Sequence, residues 1–191
     1  MSFFRHEQAL VETDDIGEGT RVWAFTHVMS GAKVGRDCNI GEHCFIEKGA
    51  VLGDGVTIKN HVAVWAGVTV EDGAFIGPHA SLTNDLRPRS RHAGWTLRET
   101  RIGQGVTIGA NATLLCGIEI GPFAFVGAGA VVTASVPAHT LVYGNPARPR
   151  GFVCRCAEPI AFRNNIAVCA GCNRRYHTDG QGQIHEDHHA E

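Results

Sequence analysis

Large aliphatic residues recur at every sixth position along most of this chain of 191 residues. The first run has thirteen members without a miss: Leu10, Ile16, Val22, Val28, Val34, Ile40, Ile46, Leu52, Ile58, Val64, Val70, Ile76 and Leu82. After a break the spacing resumes with Ile102, Ile108, Leu114, Ile120, Val126 and Val132. A strict six-residue period is typical of a parallel β-helix, in which three hexads make one coil. The period therefore predicts an all-β solenoid of about six stacked coils.

A second position of each hexad supports this prediction. Four residues after each large aliphatic stands a small or β-branched residue, such as Thr20, Cys38 or Ala74, which suits an inward site at a corner of a triangular coil. An α-helix would need a 3.6-residue period, and 24 glycines disfavour it.

Composition limits the class of partner. A net charge of −2 with 19% charged residues argues against nucleic-acid binding, which favours a basic surface. No apolar run approaches the roughly 20 residues of a membrane span, and the start lacks the apolar stretch of a signal peptide. We therefore expect a cytoplasmic protein that binds neither nucleic acid nor membrane.

The break in the repeat predicts an external loop. Residues 83–101 interrupt the hexads, and the step from Leu82 to Ile102 exceeds a full coil by two residues, so we expect the register to slip. Loops this long in compact repeat proteins are usually functional. The stretch contains five arginines, which together predict an anion site: Arg87, Arg89, Arg91, Arg98 and Arg101.

Four of the seven cysteines form a second motif near the C-terminus. Cys154 and Cys156 precede Cys169 and Cys172, and two close pairs of this kind suit a four-thiolate tetrahedral site. A reducing cytoplasm favours a metal over disulfides, so we predict structural Zn²⁺, with His177 as a reserve ligand.

The resulting division has three parts. Residues 1–150 are the β-helix domain with the loop 83–101, and residues 151–180 are a small zinc-ribbon-like module with the four cysteines. Residues 181–191, which include His188 and His189, are predicted to be a flexible tail. Cys38 and Cys44 hold the small inward position of their hexads and are predicted to be packing residues.

Sequence motifs add a resemblance to a known family. The pattern Ile-Gly-x-x-Ala of residues 76–80 and the ending Gly-Asn-Pro-Ala-Arg of residues 144–148 resemble the hexapeptide-repeat acyltransferases. This resemblance implies a left-handed β-helix and a homotrimer. It also implies an acetyl-CoA groove and active sites between adjacent subunits.

Three segments resemble bacterial nucleotide-sugar N-acetyltransferases more narrowly. They are Val-Trp-x-Phe-x-His in residues 22–27, Thr-Asn-x-x-x-Pro-Arg in residues 83–89 and Gly-Ala-Asn-x-Thr in residues 109–113. The resemblance implies acetylation of the 3-amino group of UDP-2-acetamido-3-amino-2,3-dideoxy-glucuronate for surface polysaccharide (O-antigen, lipopolysaccharide) biosynthesis. The alternative is a dTDP-3-amino-3,6-dideoxyhexose, because Asp85 follows Asn84 as in the enzymes that use such sugars.

Amide formation from a thioester suggests roles for individual residues. Asn84 is expected to orient the sugar amine by accepting a hydrogen bond, since alignment supplies much of the rate of such a reaction. Either Asp85 or His79 would accept the proton. Trp23, Phe25 and His27 alternate on what would be one strand and so share a face, where we expect them to bind the substrate.

The remaining candidates bind substrate or cofactor. His61 repeats the position of His79 one coil earlier and is assigned to the substrate, and Arg87 and Arg89 to its pyrophosphate or carboxylate. The resemblance assigns Ala110 and Asn111 to CoA. The small residue Ala128 would let pantetheine approach the backbone, and Arg148 would meet a CoA phosphate.

Two rival functions stay open at this point. A non-catalytic scaffold would use the cysteine module to bind a partner. A hexapeptide-repeat carbonic anhydrase would need three histidines on one open zinc, and the spacing of His27, His43, His61 and His79 does not suit it.

Overall fold

The computed structural model describes residues 2–91 and 94–187. Within these ranges the chain contains strands and turns and no helix. Consequently no helix long and apolar enough to cross a membrane is present among the described residues.

Most strands are only two residues long and follow one another at hexad spacing. The solenoid strands are β1 (Phe4–Arg5), β2 (Leu10–Val11), β3 (Arg21–Val22), β4 (His27–Val28), β5 (Lys33–Val34), β6 (Asn39–Ile40), β7 (Phe45–Ile46), β8 (Val51–Leu52), β9 (Thr57–Ile58), β10 (Ala63–Val64), β11 (Val68–Val70), β12 (Phe75–Ile76), β13 (Ser81–Leu82), β14 (Thr100–Ile102), β15 (Thr107–Ile108), β16 (Thr113–Leu114), β17 (Glu119–Ile120), β18 (Phe125–Val126) and β19 (Val131–Val132). The C-terminal part adds β20 (Thr140–Tyr143), β21 (Arg148–Val153), β22 (Pro159–Ile160), β23 (Ile166–Val168), β24 (Arg175–Thr178) and β25 (Ile184–Glu186).

Three parallel sheets form the faces of the solenoid. Face A contains β1, β3, β6, β9, β12, β15, β18 and β20; face B contains β2, β4, β7, β10, β13, β16 and β19; face C contains β5, β8, β11, β14 and β17. Each coil passes from face A to B to C. We call the turns the A–B corner (residues 41–44 in one coil), the B–C corner (47–50) and the C–A corner (53–56). Neighbouring coils are about 4.8 Å apart, the spacing of paired strands.

The hexad aliphatics fill the interior, as the period predicts. From Val22 to Val132 all of them are at most 5% exposed, and the small residues four positions later are buried as well. The exception is Leu10, whose side chain is 54% exposed. Val11 instead pairs with the inward-facing Val28 and packs against the core, because the first coil is displaced by one residue. The prediction for Leu10 is therefore wrong.

Hydrogen bonds join the corner residues of successive coils. Thr26 Oγ1 donates to the Gly41 carbonyl at 2.6 Å and accepts from the Cys44 backbone N–H at 3.1 Å. The Cys44 thiol in turn donates to the Lys59 carbonyl at 3.2 Å. Burial raises the pKa of Cys44 and of Cys38, so both stay protonated packing residues.

Residues 83–99 leave the solenoid at the B–C corner without disturbing it. Leu82 on face B and Ile102 on face C are twenty positions apart in place of the usual six, so 14 residues (20 − 6) are inserted at this one corner. Ile102 still pairs with Val70 on face C. The predicted slip of register is therefore wrong, because the insertion is confined to a single turn. The strand β14 begins at Thr100, so the loop is also shorter than predicted.

An antiparallel hairpin of β20 and β21 ends the solenoid and leads into the cysteine module. The strand β21 crosses the predicted domain boundary at residue 150 and continues to Val153, after which β22 pairs back onto it. The strands β23, β24 and β25 form a separate antiparallel sheet. Because β25 covers residues 184–186, the predicted flexible tail does not begin at residue 181. Its last part, with His188 and His189, lies outside the described residues.

His139 joins the last coil to the module and predicts a dependence of stability on pH. Its ring is buried, its Nδ1 donates to the Val153 carbonyl at 2.9 Å, and it packs edge-on against Tyr176. Burial lowers the pKa of His139 below its ordinary value of 6.5. The unfolded chain therefore takes up a proton at a higher pH than the folded chain does, so acid favours unfolding.

We expect the free energy of unfolding to fall as the pH drops below about 6.5, by at most about 1.4 kcal/mol per pH unit from this residue. Urea unfolding at several pH values between about 5 and 8 would measure it. In the variant His139→Asn the free energy of unfolding should depend less steeply on pH. Asparagine tolerates the positive φ of 58° at this position. An identical pH dependence in the variant and the natural chain would contradict this expectation.

Candidate active site

The inserted loop is held against the B–C corner by a small set of contacts. The indole N–H of Trp65 donates to the Leu82 carbonyl at 2.8 Å, where the loop departs. Where the loop returns, the backbone N–H of Arg98 donates to the Asn84 carbonyl at 3.1 Å. The Leu97 side chain packs over Gly67, whose φ of 79° and lack of a Cβ leave the space for it. Departure and return are thus fixed at the same corner.

The loop lines a cavity of about 350 Å³ that is open to solvent on one side. Its walls combine two apolar side chains with charged ones, and they are Asp85, Leu86, Arg87, Gly94, Trp95, Thr96 and Arg98. Asp85 Oδ1 accepts a hydrogen bond from the Arg87 backbone N–H at 2.8 Å, which folds the departing chain into a turn. A flat indole beside two guanidinium groups suits a ring joined to phosphates.

Asn84 stands at the base of this loop with its side chain half-buried. Its Nδ2 donates a long hydrogen bond of 3.5 Å to the Ala66 carbonyl, one coil below. An amide that donates through Nδ2 keeps Oδ1 as an acceptor. The amide oxygen is thus left to accept a hydrogen bond, and its role in orienting the amine stays a prediction.

A column of stacked rings runs along the A–B corner. Phe25, His43, His61 and His79 occupy equivalent positions in four successive coils, each with a φ between 56° and 62°. Their ring centroids are 4.8, 4.9 and 4.7 Å apart, and the rings are tilted by 19°, 3° and 7°. The spacing equals that of the coils, so the fold itself stacks the rings. The outward position predicted for His61 and His79 agrees with this arrangement.

The predicted CoA-binding residues continue the same corner. Asn111, with a φ of 57°, follows His79 in the next coil, and its backbone N–H donates to the Pro78 carbonyl at 3.0 Å. Ala110 and Ala128 stand one above the other, joined by the hydrogen bond from Gly129 N–H to the Ala110 carbonyl. Arg148 begins β21 and pairs with Tyr143 of β20 across the antiparallel hairpin. The structure thus gathers the CoA candidates on one edge.

The two groups of candidates lie on different edges of the solenoid. His79 precedes β13 on the A–B corner, whereas Asn84 follows β13 on the B–C corner, with face B between them. Within one chain, Asp85 is therefore the candidate proton acceptor next to Asn84. Arg87 lines the cavity, while Arg89 is exposed outside its walls.

Trp23, Phe25 and His27 do not share a face, and that prediction is wrong. Trp23 follows β3 on face A, Phe25 lies on the A–B corner, and His27 lies in β4 on face B. The hexad turns the chain between them, so alternation along a strand does not apply. They also belong to a coil three below that of Asn84, about 14 Å away along the solenoid.

Each of these residues has its own local contacts. Trp23 Nε1 donates to Asn39 Oδ1 at 3.0 Å. His27 packs edge-on against Phe45, and its buried Nε2 lies 3.2 Å from Glu12 Oε2 without the direction of a hydrogen bond. Substrate binding by Trp23, Phe25 and His27 stays a prediction.

The four predicted metal ligands do meet in space. The sulfur atoms of Cys154, Cys156, Cys169 and Cys172 all lie within 4.8 Å of one another. The reserve ligand His177 is not in this group and contacts Asp187 and His185. Hydrogen bonding from the Arg174 backbone, from neighbouring thiols and from the Arg174 guanidinium lowers the pKa of Cys172 to about 6.

Trp95 and Arg98 also line the cavity, although no sequence pattern identifies them as cavity residues. Arg98 is one of the five arginines of the loop, but nothing in its spacing relates it to Arg87. Trp95 is half exposed in a segment without periodicity, where the fold of the returning chain decides what it faces.

Comparison with known proteins gives a matching family model and a similar protein of known activity. The model for bacterial transferase hexapeptide (six repeats) matches residues 15–48 and 99–134. The dTDP-3-amino-3,6-dideoxy-alpha-D-galactopyranose 3-N-acetyltransferase of Aneurinibacillus thermoaerophilus is 46% identical over 178 residues, which cover 93% of this chain and 92% of that protein.

Solved structures support the same fold. The acetyltransferase domain of PglB from Neisseria gonorrhoeae FA1090, in complex with acetyl coenzyme A, is 26% identical with a TM-score of 0.51. The match covers 76% of this chain and 56% of that chain. A maltose O-acetyltransferase from Clostridium difficile 630 is 24% identical with a TM-score of 0.57, covering 62% and 68% of the two chains, and supports the fold alone. The predicted left-handed parallel β-helix of the hexapeptide-repeat type is confirmed.

Proposed function

Because the chain belongs to the bacterial hexapeptide transferases, we propose that it transfers acetyl from acetyl-CoA to the 3-amino group of a dTDP-linked 3-amino-3,6-dideoxyhexose. The general activity, N-acetylation of the amino group of a nucleotide-linked sugar, agrees with the sequence prediction. The observation that carries the proposal is the 46% identity to a dTDP-amino-sugar N-acetyltransferase across 93% of the chain.

The comparison favours the alternative substrate over the UDP-linked uronate. The resemblance of residues 83–89 fits both classes of enzyme, but Asp85 after Asn84 points to the dTDP sugars. In the structure Asp85 is part of the cavity wall and shapes the turn at its entrance. A carboxylate there suits a neutral deoxyhexose better than a sugar that carries a carboxylate itself, because like charges repel.

The reaction depends more on aligning the amine with the thioester than on activating either group. The neutral amine attacks the thioester carbonyl, the C–S bond breaks, and CoA leaves as its thiol once the surplus proton has left the amine. Asn84 Oδ1 holds the amine in line by accepting one of its hydrogens. Asp85 or His79 accepts the surplus proton, and Asp85 is the nearer group in the same chain.

The cavity of the loop would bind the nucleotide part of the substrate. Trp95 and Leu86 provide apolar surface for a pyrimidine ring, and Arg87 and Arg98 provide charge for its pyrophosphate. CoA would extend along the A–B corner from the column of rings towards Arg148, past Ala110, Asn111 and Ala128.

A homotrimer would bring the two edges together. The donor edge is the A–B corner and the acceptor edge is the B–C corner with the loop, and face B separates them within one chain. If the A–B corner of one copy packs beside the loop of the next, acetyl donor and amine acceptor meet between subunits. This arrangement would make His79 of one copy a neighbour of Asn84 of another.

The test is a thiol-release assay with acetyl-CoA and a panel of sugars. We expect kcat/KM for a dTDP-3-amino-3,6-dideoxyhexose to exceed that for UDP-2-acetamido-3-amino-2,3-dideoxy-glucuronate by about 100-fold, since a site built for one polar pattern leaves its groups unpaired with another. A dTDP sugar with a 3-hydroxyl group controls for background hydrolysis.

A preference for the UDP sugar would restore the first prediction and overturn the proposal. A failure of acetyl-CoA to raise the melting temperature, together with no thiol release from any sugar, would favour the scaffold instead.

A further inference from the structure

Outside the loop, the most concentrated group of reactive side chains in the described residues is the cysteine module. Cys154 and Cys156 follow β21 on one tight turn, and Cys169 and Cys172 lie on another turn between β23 and β24. The two turns face each other, so that Cys154 Sγ lies 3.4 Å from Cys172 Sγ and Cys156 Sγ lies 3.5 Å from Cys169 Sγ. Each close contact therefore joins one turn to the other.

These distances suit a shared metal better than disulfides. Four sulfurs at about 2.3 Å from a zinc ion are about 3.8 Å from one another in a tetrahedron. A disulfide would need a separation of about 2.05 Å, and none of the seven cysteines is bonded. All four sulfurs lie within 4.8 Å of one another, whereas two disulfides would need only pairwise proximity.

The Tyr176 hydroxyl is placed to donate a hydrogen bond to a metal-bound sulfur. The phenol oxygen of this fully buried residue accepts a hydrogen bond from the Arg155 backbone N–H at 3.1 Å. Its single proton is then free to donate to Cys154 Sγ, 3.0 Å away. A charged sulfur is the stronger acceptor for such a donor, and a thiolate is the form that binds a metal.

The Arg174 side chain also points at a sulfur. Its Nη1 donates to Cys172 Sγ at 3.3 Å. Zn²⁺ with four thiolates carries a net charge of −2, which this guanidinium and the Tyr176 hydroxyl stabilise.

The module has too small a core to fold without help. Its buried residues are Cys154, Ile160, Ala167, Cys169 and Tyr176, so two of the five are themselves cysteines. A unit of about thirty residues seldom folds on so little apolar surface, and a structural metal is a common source of the missing stability.

The same module is attached to the last coil of the solenoid. Val153, beside Cys154, receives the Nδ1 contact of His139, and the ring of His139 packs against Tyr176. The Arg155 guanidinium lies over the Phe123 ring, 4.7 Å from its centroid. A metal that fixes Cys154 therefore also fixes the contacts that hold the module against the solenoid.

We propose that Cys154, Cys156, Cys169 and Cys172 bind one Zn²⁺ in a closed tetrathiolate site, with the Tyr176 hydroxyl donating to Cys154, and that this site attaches the C-terminal module to the solenoid. Four protein ligands leave no open position, so the ion is structural. The proposal is independent of the transferase activity.

The experiment measures metal content in the full chain. We expect about one zinc per chain by elemental analysis in the natural protein and in Cys116→Ser, which alters a buried cysteine outside the module. Cys169→Ser should lose it. Cobalt in place of zinc should give the sulfur-to-metal charge-transfer absorption of a four-sulfur site. This second measurement uses the unaltered chain and needs no variant to fold.

Tyr176→Phe tests the added hydrogen bond. Loss of a group that orients a ligand typically costs about 10- to 100-fold in metal affinity, so a chelator should remove zinc from this variant at correspondingly lower concentration. Tyr143→Phe, at the exposed tyrosine, is the matched control and should behave as the natural chain does.

Three results would overturn the proposal. One is a purified chain without zinc whose mass corresponds to two disulfides. Another is a zinc content that Cys169→Ser leaves unchanged. A third is a cobalt spectrum that indicates nitrogen ligands. An unchanged zinc affinity in Tyr176→Phe would remove the tyrosine from the site.

Discussion

Replacing Asn84 by alanine is expected to lower kcat by about 100- to 1,000-fold, the usual effect of removing one aligned polar group from a transferase site. Acetyl-CoA should still raise the melting temperature of the variant, because the predicted CoA residues lie on the A–B corner and Asn84 on the B–C corner. The measurement is thiol release at saturating sugar and acetyl-CoA, with thermal shift by acetyl-CoA alongside.

Ser90→Ala is the matched control for this change. Ser90 is an exposed residue of the same loop outside the walls of the cavity, so kcat should stay within about twofold. If Asn84→Ala keeps the natural turnover, Asn84 has no part in the reaction. If it loses both turnover and the response to acetyl-CoA, the two edges are coupled in a way that the proposal does not include.

Truncation of a central core residue should have the largest effect on stability. Ile58 is fully buried, and its strand β9 pairs with β6 below and β12 above, so that Ile40 and Ile76 pack on either side of it. We expect Ile58→Ala to lower the free energy of unfolding by about 2–5 kcal/mol, through lost apolar burial and the cavity that remains. Urea unfolding at one fixed protein concentration measures it, since an oligomer's stability depends on concentration.

Lys59→Ala at the next position tests whether the effect comes from the interior. The Lys59 side chain is exposed, and its backbone contacts to the neighbouring coils do not depend on it. Its free energy of unfolding should stay within about 0.5 kcal/mol of the natural value. A loss below about 1 kcal/mol in Ile58→Ala would mean that the coil relaxes around the vacated space more than a close-packed core allows.

The interior of the solenoid was largely predictable from the sequence, because a repeat makes each contact local. Every coil meets only the coils above and below it, so a residue at a given hexad position has the same surroundings throughout. The prediction failed where this condition ends. In the first coil that the structure describes, the chain is displaced so that Val11 and not Leu10 faces inward.

Surface predictions failed where they assumed an ordinary strand. Trp23, Phe25 and His27 alternate in the sequence, yet a corner with a positive φ at Phe25 turns them onto different surfaces. The period that predicts the fold also contains this information, since only about two residues of each hexad are extended.

The loop was predictable in position and composition but not in its internal arrangement. The sequence places Asn84, Asp85 and Arg87 at its start, and the structure keeps them there. Trp95 and Arg98 join them only because the chain folds back onto Gly67 and Asn84, a long-range contact that no local pattern encodes. The meeting of the four cysteines was easier to predict because thiols at such spacings have few alternatives.

The hairpin of β20 and β21 has a consequence for the assembly of whole molecules. The last coil of a parallel β-helix has backbone N–H and C=O groups with no coil beyond them to pair with. Another copy of the chain would be able to add its strands there, as in a growing fibril. Here the antiparallel β21 pairs with the last rung of face A, and Val131 on face B bonds Gly144 and Ala147 of the same hairpin. Deleting the hairpin would therefore leave these groups of the last coil unpaired, so the hairpin blocks the addition of another copy at this end of the solenoid.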